Sequence, residues 1–153
     1  MKIIGVIGGS TCSEEIYNIA YEVGRHIAKR GNILICGGLG GVMEAACKGA
    51  KSEKGLTIGI LPTNDKNSKN PYVDIPIVTG MGEARNIVII KSSDGVIAIN
   101  GGYGTLSELA FCGVLNIPVV LIKSWDIGIG IKEDNPEKAV DLIIKLIEER
   151  SFY

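Results

Sequence analysis

The stretch Gly95-Val96-Ile97-Ala98-Ile99-Asn100-Gly101-Gly102-Tyr103-Gly104-Thr105-Leu106-Ser107-Glu108-Leu109-Ala110 changes character twice. Val96–Ile99 is apolar and β-branched without a polar break, as expected of a strand buried on both faces. A glycine cluster follows, and from Thr105 to Leu115 the residues read as a helix. Strand, glycine loop and helix form the unit from which a parallel sheet with helices on both faces is assembled.

The same unit recurs on either side. Ile3–Ile7, Ile33–Cys36, Thr57–Leu61, Ile75–Val78 and Val119–Ile122 are further short apolar runs bounded by glycine, proline or polar residues, and they are predicted strands. Between the first two, Ile16, Ile19, Ala20, Val23 and Ile27 recur at helical spacing over Glu14–Arg30, and Gly31 ends that helix. Helices are also predicted over Val42–Ala50, Glu83–Ser92 and Pro136–Arg150, the last opened by Asn135 and by proline at its first position. Asn64–Tyr72 and Ser124–Asn135 read as loops, the former mobile. The expected fold is α/β, a modified Rossmann arrangement with a doubly wound, mainly parallel sheet, and residues 1–153 read as one domain.

Composition narrows the function. Sixteen basic residues against seventeen acidic ones leave a net charge of −1, and aromatic residues make up 5%. Neither a basic stripe nor a stacking platform for nucleic acid is expected. No apolar run reaches the roughly 18 residues of a membrane span, and the apolar run after Met1-Lys2 is too short for a signal peptide. Cys12, Cys36, Cys47 and Cys112 form no C-x-x-C pair, so free thiols in a cytoplasmic protein are expected. The lone histidine, His26, lies beside the apolar stripe of its helix, away from every glycine loop. With no paired ligands elsewhere, no metal site is expected.

Glycine, at 21 residues, is the outlier. Gly8-Gly9-Ser10-Thr11, Gly37 to Gly41, Gly80-Met81-Gly82 and Gly101 to Gly104 each follow a strand and precede a helix. Ligands of open parallel sheets bind at that edge. There a helix amino terminus offers unpaired N–H groups, and glycine lets an anion approach the backbone. Gly8, Gly9, Ser10, Gly38, Gly40, Gly41, Asn100, Gly101, Gly102, Gly104 and Thr105 are accordingly candidate ligands for a phosphate. Neither G-x-G-x-x-G nor the P-loop pattern follows a strand, which disfavours dinucleotide and ATPase readings. Arg85 is expected in the first turn of its helix, where a cation opposes the dipole. It is either a solvated arginine or the partner of an anion held nearby, and Glu83, two residues away, is not expected to screen it. Thr105 and Glu108 fit a capping box. Glu108 also stands within a turn of the glycine loop, where a carboxylate can meet a sugar hydroxyl or move a proton. Trp125 and Asp126 either line the pocket or pack. Nothing assigns a role to Cys12.

Gly101-Gly102-Tyr103-Gly104-Thr105-Leu106-Ser107-Glu108 resembles the P-G-G-x-G-T-x-x-E signature of the Lonely Guy (lysine-decarboxylase-like) superfamily. Gly82-Glu83-Ala84-Arg85-Asn86 is similar to the arginine motif that accompanies it, and Gly37–Ala50 to its second glycine element. The likeness runs from about Met1 to Lys123 and is greatest to the branch containing the molybdenum cofactor carrier proteins. It implies a homodimer or a pair of dimers and a small phosphorylated ligand, a nucleotide or molybdenum cofactor, with no other cofactor required. In a carrier, the glycine loops would hold a phosphorylated pterin or nucleotide. In a nucleoside 5′-monophosphate phosphoribohydrolase, Glu108 would bind the ribose or stabilise positive charge and Arg85 would orient the reacting group. Asn100 replaces the signature's proline, which is expected to loosen the strand exit, and Asn86 replaces the lysine that follows the arginine. Independently, Ile87 to Ile90 point around most of a helix and Ala110–Leu115 has similar character, so a dimer through these helices is expected.

Overall fold

A computed structural model describes residues 1–150. Seven strands form one sheet: β1 (Ile3–Gly8), β2 (Ile33–Cys36), β3 (Thr57–Leu61), β4 (Ile75–Val78), β5 (Gly95–Ile99), β6 (Val119–Ile122) and β7 (Ile131–Lys132). Five helices alternate with them: α1 (Glu14–Lys29), α2 (Val42–Ser52), α3 (Asn86–Lys91), α4 (Tyr103–Leu115) and α5 (Pro136–Arg150). The spatial order is β4-β3-β2-β1-β5-β6-β7, and every pairing is parallel. The chain winds outward from β1 to β4, returns to β5 on the other side of β1, and winds outward again. This is the expected doubly wound α/β fold. Its direction reverses between β1 and β5, so the crevice for a ligand opens beyond their carboxyl ends.

Alternation along each strand feeds two cores. Ile4, Val6, Leu34, Cys36, Ile97 and Ile99 pack on the side of α1, α2 and α5. Ile7, Ile35, Ile60, Val96 and Ala98 pack on the side of α3 and α4. Both sets are buried, which is why the strands read as continuous apolar runs. On the first side α1 and α2 touch backbone to backbone. A methyl group on Gly24 would lie 1.8 Å from the Ala46 carbonyl oxygen, and one on Gly49 would lie 1.9 Å from that of Tyr21.

Four local expectations are corrected. The single helix over Glu83–Ser92 is a 3-10 turn, Gly82–Arg85, followed by α3, and the tighter winding accompanies the inward bond of Arg85 to the Ile60 carbonyl. The helix expected from Thr105 begins two residues earlier, with Gly102 as N-cap and no capping side chain. Thr105 and Glu108 therefore lie inside α4 and make no capping box. The loop over Ser124–Asn135 contains β7, paired to β6 at Val120↔Ile131. The loop over Asn64–Tyr72 contains a short 3-10 turn, Lys66–Ser68, with Asp65 as its cap. Its Asn70 is buried and bonded to the Gly38 and Leu39 carbonyls.

Candidate functional site

The loops after β1, β2 and β5 surround a cavity of about 450 Å³. Among the residues singled out from the sequence, Gly8, Gly9, Ser10, Arg85, Asn100, Gly101, Gly102, Gly104, Thr105 and Glu108 line it. Gly38, Gly40 and Gly41 do not. Their Cα hydrogens face Leu61, the Ser10 carbonyl and the Gly9 carbonyl, so these glycines let the loop pack against its neighbours. The Gly80–Gly82 loop after β4 also stays outside the lining. Thr11, Gly37, Met43, Asn86 and Ile89 line the cavity and had not been proposed. Gly37 and Asn86 are chain neighbours of proposed residues, whereas nothing at the sequence level marks Met43 or Ile89 except their apolarity.

The amino terminus of α4 faces this space. Leu106 N–H donates to the Gly102 carbonyl, 3.1 Å, as the helix's opening bond. The amides of Tyr103, Gly104 and Thr105 precede it and have no carbonyl to meet within the helix. A methyl group built on Gly102 or Gly104 would touch nothing within 4 Å, so the backbone there is open to a ligand. The Thr105 side chain is buried within this ring.

Arg85 is buried, at 4% exposure. Its Nε donates to the Ile60 carbonyl at 2.9 Å and its Nη2 to the Gly37 carbonyl at 3.4 Å. Its Nη1 donates to Asn86 Oδ1. The reading as a solvated arginine is thereby overturned: the 3-10 turn directs the side chain inward over β2 and β3. Glu83 Oε2 does reach the guanidinium, at 3.7 Å, because the two residues share this turn and not an α-helix. From Arg85 a chain of bonds continues to α4. Asn86 Nδ2 donates to Ser107 Oγ at 3.4 Å, and Ser107 Oγ donates to the Gly104 carbonyl at 2.6 Å.

Glu108 is the unusual member. It is 6% exposed, lines the cavity, and has no hydrogen bond among the described residues. Burial pushes its carboxyl up to about 8, with the Arg85 charge pulling the other way. Near neutral pH the group is mostly protonated, so it can donate a hydrogen bond into the cavity. Cys36 and Cys47, both buried in the first core, have sulfurs 3.5 Å apart. All four cysteines are free.

Behind the glycine loop, Asn100 holds φ +48° and Gly101 φ +103°. A proline, locked near φ −65°, could not take the Asn100 conformation. The strand exit expected to be loosened is instead fastened. Ser124 Oγ donates to the Asn100 carbonyl at 2.7 Å, and Trp125 Nε1 donates to the Gly102 carbonyl at 3.0 Å. Trp125 stacks on Tyr103 with ring centroids 6.1 Å apart. It is outside the cavity lining, so of its two readings the structure supports packing. Asp126 is exposed and paired with Lys132. Cys12 is half-buried beside the cavity-lining Thr11. His26 is far from this edge, buried between Arg25 and Arg30.

No helix among the described residues is long and apolar enough to cross a membrane. The profile of the SLOG cluster4 family matches residues 1–149. The molybdenum cofactor binding protein of Rippkaea orientalis superposes with a TM-score of 0.87 at 40% identity, covering 95% of this chain and 97% of that one. The molybdenum cofactor carrier protein of Chlamydomonas reinhardtii gives 0.84 at 36% identity, covering 96% and 98%. A cytokinin riboside 5′-monophosphate phosphoribohydrolase of Mycobacterium tuberculosis is 33% identical over 121 residues, 72% of this chain and 64% of that protein. The glycine loop after β5, the buried arginine before α3 and these likenesses agree: the chain belongs to the SLOG cluster4 family of the Lonely Guy superfamily, in the branch of the molybdenum cofactor carrier proteins.

Proposed function

We propose that this chain is a single-domain cytoplasmic carrier that binds a small phosphorylated ligand, a nucleotide or a pterin such as molybdenum cofactor, at the cavity between β1, β2 and β5. The phosphate rests on the amides of Tyr103, Gly104 and Thr105 and on the Thr105 hydroxyl, with Gly102 and Gly104 leaving the backbone bare for it. The remaining volume, walled by Met43 and Ile89, takes the organic part. The observation that carries the reading is Glu108: a buried carboxyl with no hydrogen bond to the described residues, on the same cavity as the amino terminus of α4. Its oxygens open onto the cavity, where a ligand can meet them. The two structural neighbours named for molybdenum cofactor support this reading.

A second reading, hydrolysis of the N-glycosidic bond of nucleoside 5′-monophosphates, is supported by the Mycobacterium tuberculosis relative. Glu108 and Arg85 would then be catalytic. A carboxyl raised to about 8 suits protonation of a departing base as a general acid, but while protonated it lends no negative charge to an oxocarbenium-like transition state. Arg85 also spends three donors on protein acceptors. The carrier reading ranks first on the likeness to the two molybdenum cofactor proteins and on the engaged Arg85 donors. Incubation with a panel of nucleoside monophosphates, monitored for free base, decides between them. Turnover that vanishes in Glu108→Gln establishes the hydrolase, whereas tight binding without turnover establishes the carrier.

The assembly is a homodimer or pair of dimers joined through α3 and α4. Val114 on α4 is 76% exposed and Ala110 is open to solvent, a surface a second copy would cover. Light scattering is expected to give twice or four times the chain mass, and a monomer at micromolar concentration refutes it. With a net charge of −1, nucleic acid is not among the proposed partners.

A further inference from the structure

We infer that Ser124 and Trp125, outside the cavity on the loop after β6, are positioning residues that turn the Tyr103 amide of the proposed anion site, and the neighbouring Gly101 amide, toward the cavity side of the loop. The inference rests on the proposed anion site and adds how that site is held ready. Each residue clamps one carbonyl of the glycine loop: Ser124 Oγ that of Asn100 at 2.7 Å, Trp125 Nε1 that of Gly102 at 3.0 Å. In a planar trans peptide the carbonyl and the following N–H point in opposite directions. Holding the Asn100 carbonyl toward β6 turns the Gly101 N–H the other way, and the Gly102 carbonyl, held jointly by Trp125 Nε1 and the Leu106 N–H, does the same for the Tyr103 N–H. Gly101 and Gly102 line the cavity, while Ser124 and Trp125 do not.

The loop needs such clamps. Asn100 and Gly101 both hold positive φ, a conformation with close alternatives for glycine. A methyl on Gly101 would lie 2.2 Å from Thr105 Oγ1, so the loop already sits against the first turn of α4. Preorganised amides bind an anion without the cost of ordering the loop. The Glu108 carboxyl, 6% exposed and unpartnered on the same cavity, is the independent sign that a ligand enters there.

The test uses the full chain, with ribose 5-phosphate, adenosine 5′-monophosphate and adenosine as probes. Calorimetry measures affinity for wild type, Ser124→Ala and Trp125→Phe, the last keeping an aromatic ring against Tyr103 while removing the indole N–H. Each variant is expected to bind both phosphorylated probes about three- to tenfold more weakly, the range of one lost hydrogen bond. Any affinity for adenosine is expected to stay unchanged. Amide spectra give a readout that packing alone does not move: phosphate probes shift the Gly101 and Tyr103 amide protons downfield in wild type, and less in the variants. Wild-type binding with variants of equal affinity and equal amide shifts overturns the inference and leaves the anion site standing. A wild type that binds neither phosphorylated probe overturns both. If Trp125→Phe fails to fold, Ser124→Ala alone decides.

Discussion

Replacing Glu108 by glutamine is expected to stabilise the protein increasingly as pH rises. The carboxyl has an ordinary value of 4.5 and is pushed up to about 8 in the folded chain. A group raised on folding binds more protons in the native than in the unfolded state between those two values. Its contribution is fully present below the unfolded value and is lost as pH rises through the folded one. The slope is ~1.4 kcal/mol per pH unit, so by pH 7 the wild type has forfeited roughly 3 kcal/mol. Glutamine has nearly the same shape and does not titrate. Urea unfolding of both proteins, followed by circular dichroism at about pH 5 and about pH 8, is expected to open a gap of roughly 3–4 kcal/mol in favour of Glu108→Gln. If the proposed site is right, ligand binding is expected to carry the same signature: affinity of the wild type for ribose 5-phosphate is expected to fall as Glu108 ionises near pH 8, with no such fall in the variant. A stability difference constant over that range to within about 1 kcal/mol refutes the buried, proton-holding carboxyl.

Gly104→Ala places a good helix former at an early position of α4, with nothing within 4 Å of the new methyl. It is expected to raise stability by up to about 1 kcal/mol in urea unfolding while weakening phosphate binding at least tenfold by calorimetry. Gly24→Ala drives a methyl into the Ala46 carbonyl and is expected to lose about 3 kcal/mol or more as α1 and α2 separate. Arg85→Met strands the Ile60 and Gly37 carbonyls and is expected to cost about 3 kcal/mol and abolish phosphate binding. His26 is held below its usual value of 6.5, by burial first and then by Arg25 and Arg30, with Glu137 and Glu22 opposing. Its stabilising contribution is present above 6.5 and is lost as pH falls through the depressed folded value. His26→Gln is therefore expected to flatten the acid side of the stability profile.

What was legible in the sequence was whatever depends on neighbours in the chain. Apolar β-branched runs such as Val96–Ile99 announce doubly covered strands wherever they lie, and glycine clusters at their ends mark the ligand edge. That suffices for a parallel α/β sheet and for naming Gly101, Gly102, Gly104, Thr105 and Glu108, which the structure brings to one cavity. Spacing within one helix also raised a capping box at Thr105–Glu108, but the start of α4 at Tyr103 moved both side chains into the fold. The rest depends on which loops meet in space. Arg85 turns inward because Ile60 and Gly37, far away in sequence, present their carbonyls to it. Gly38, Gly40 and Gly41 face their neighbours and Gly37 faces the cavity, a choice of one residue that only packing makes. Trp125 joins the glycine loop from the next strand, across 23 residues. Local composition dictates the elements because hydrogen bonding and burial repeat at fixed periods. Contacts between distant loops, and the proton that a buried carboxyl keeps, follow from the three-dimensional arrangement of charges and apolar surface, which no window of sequence contains.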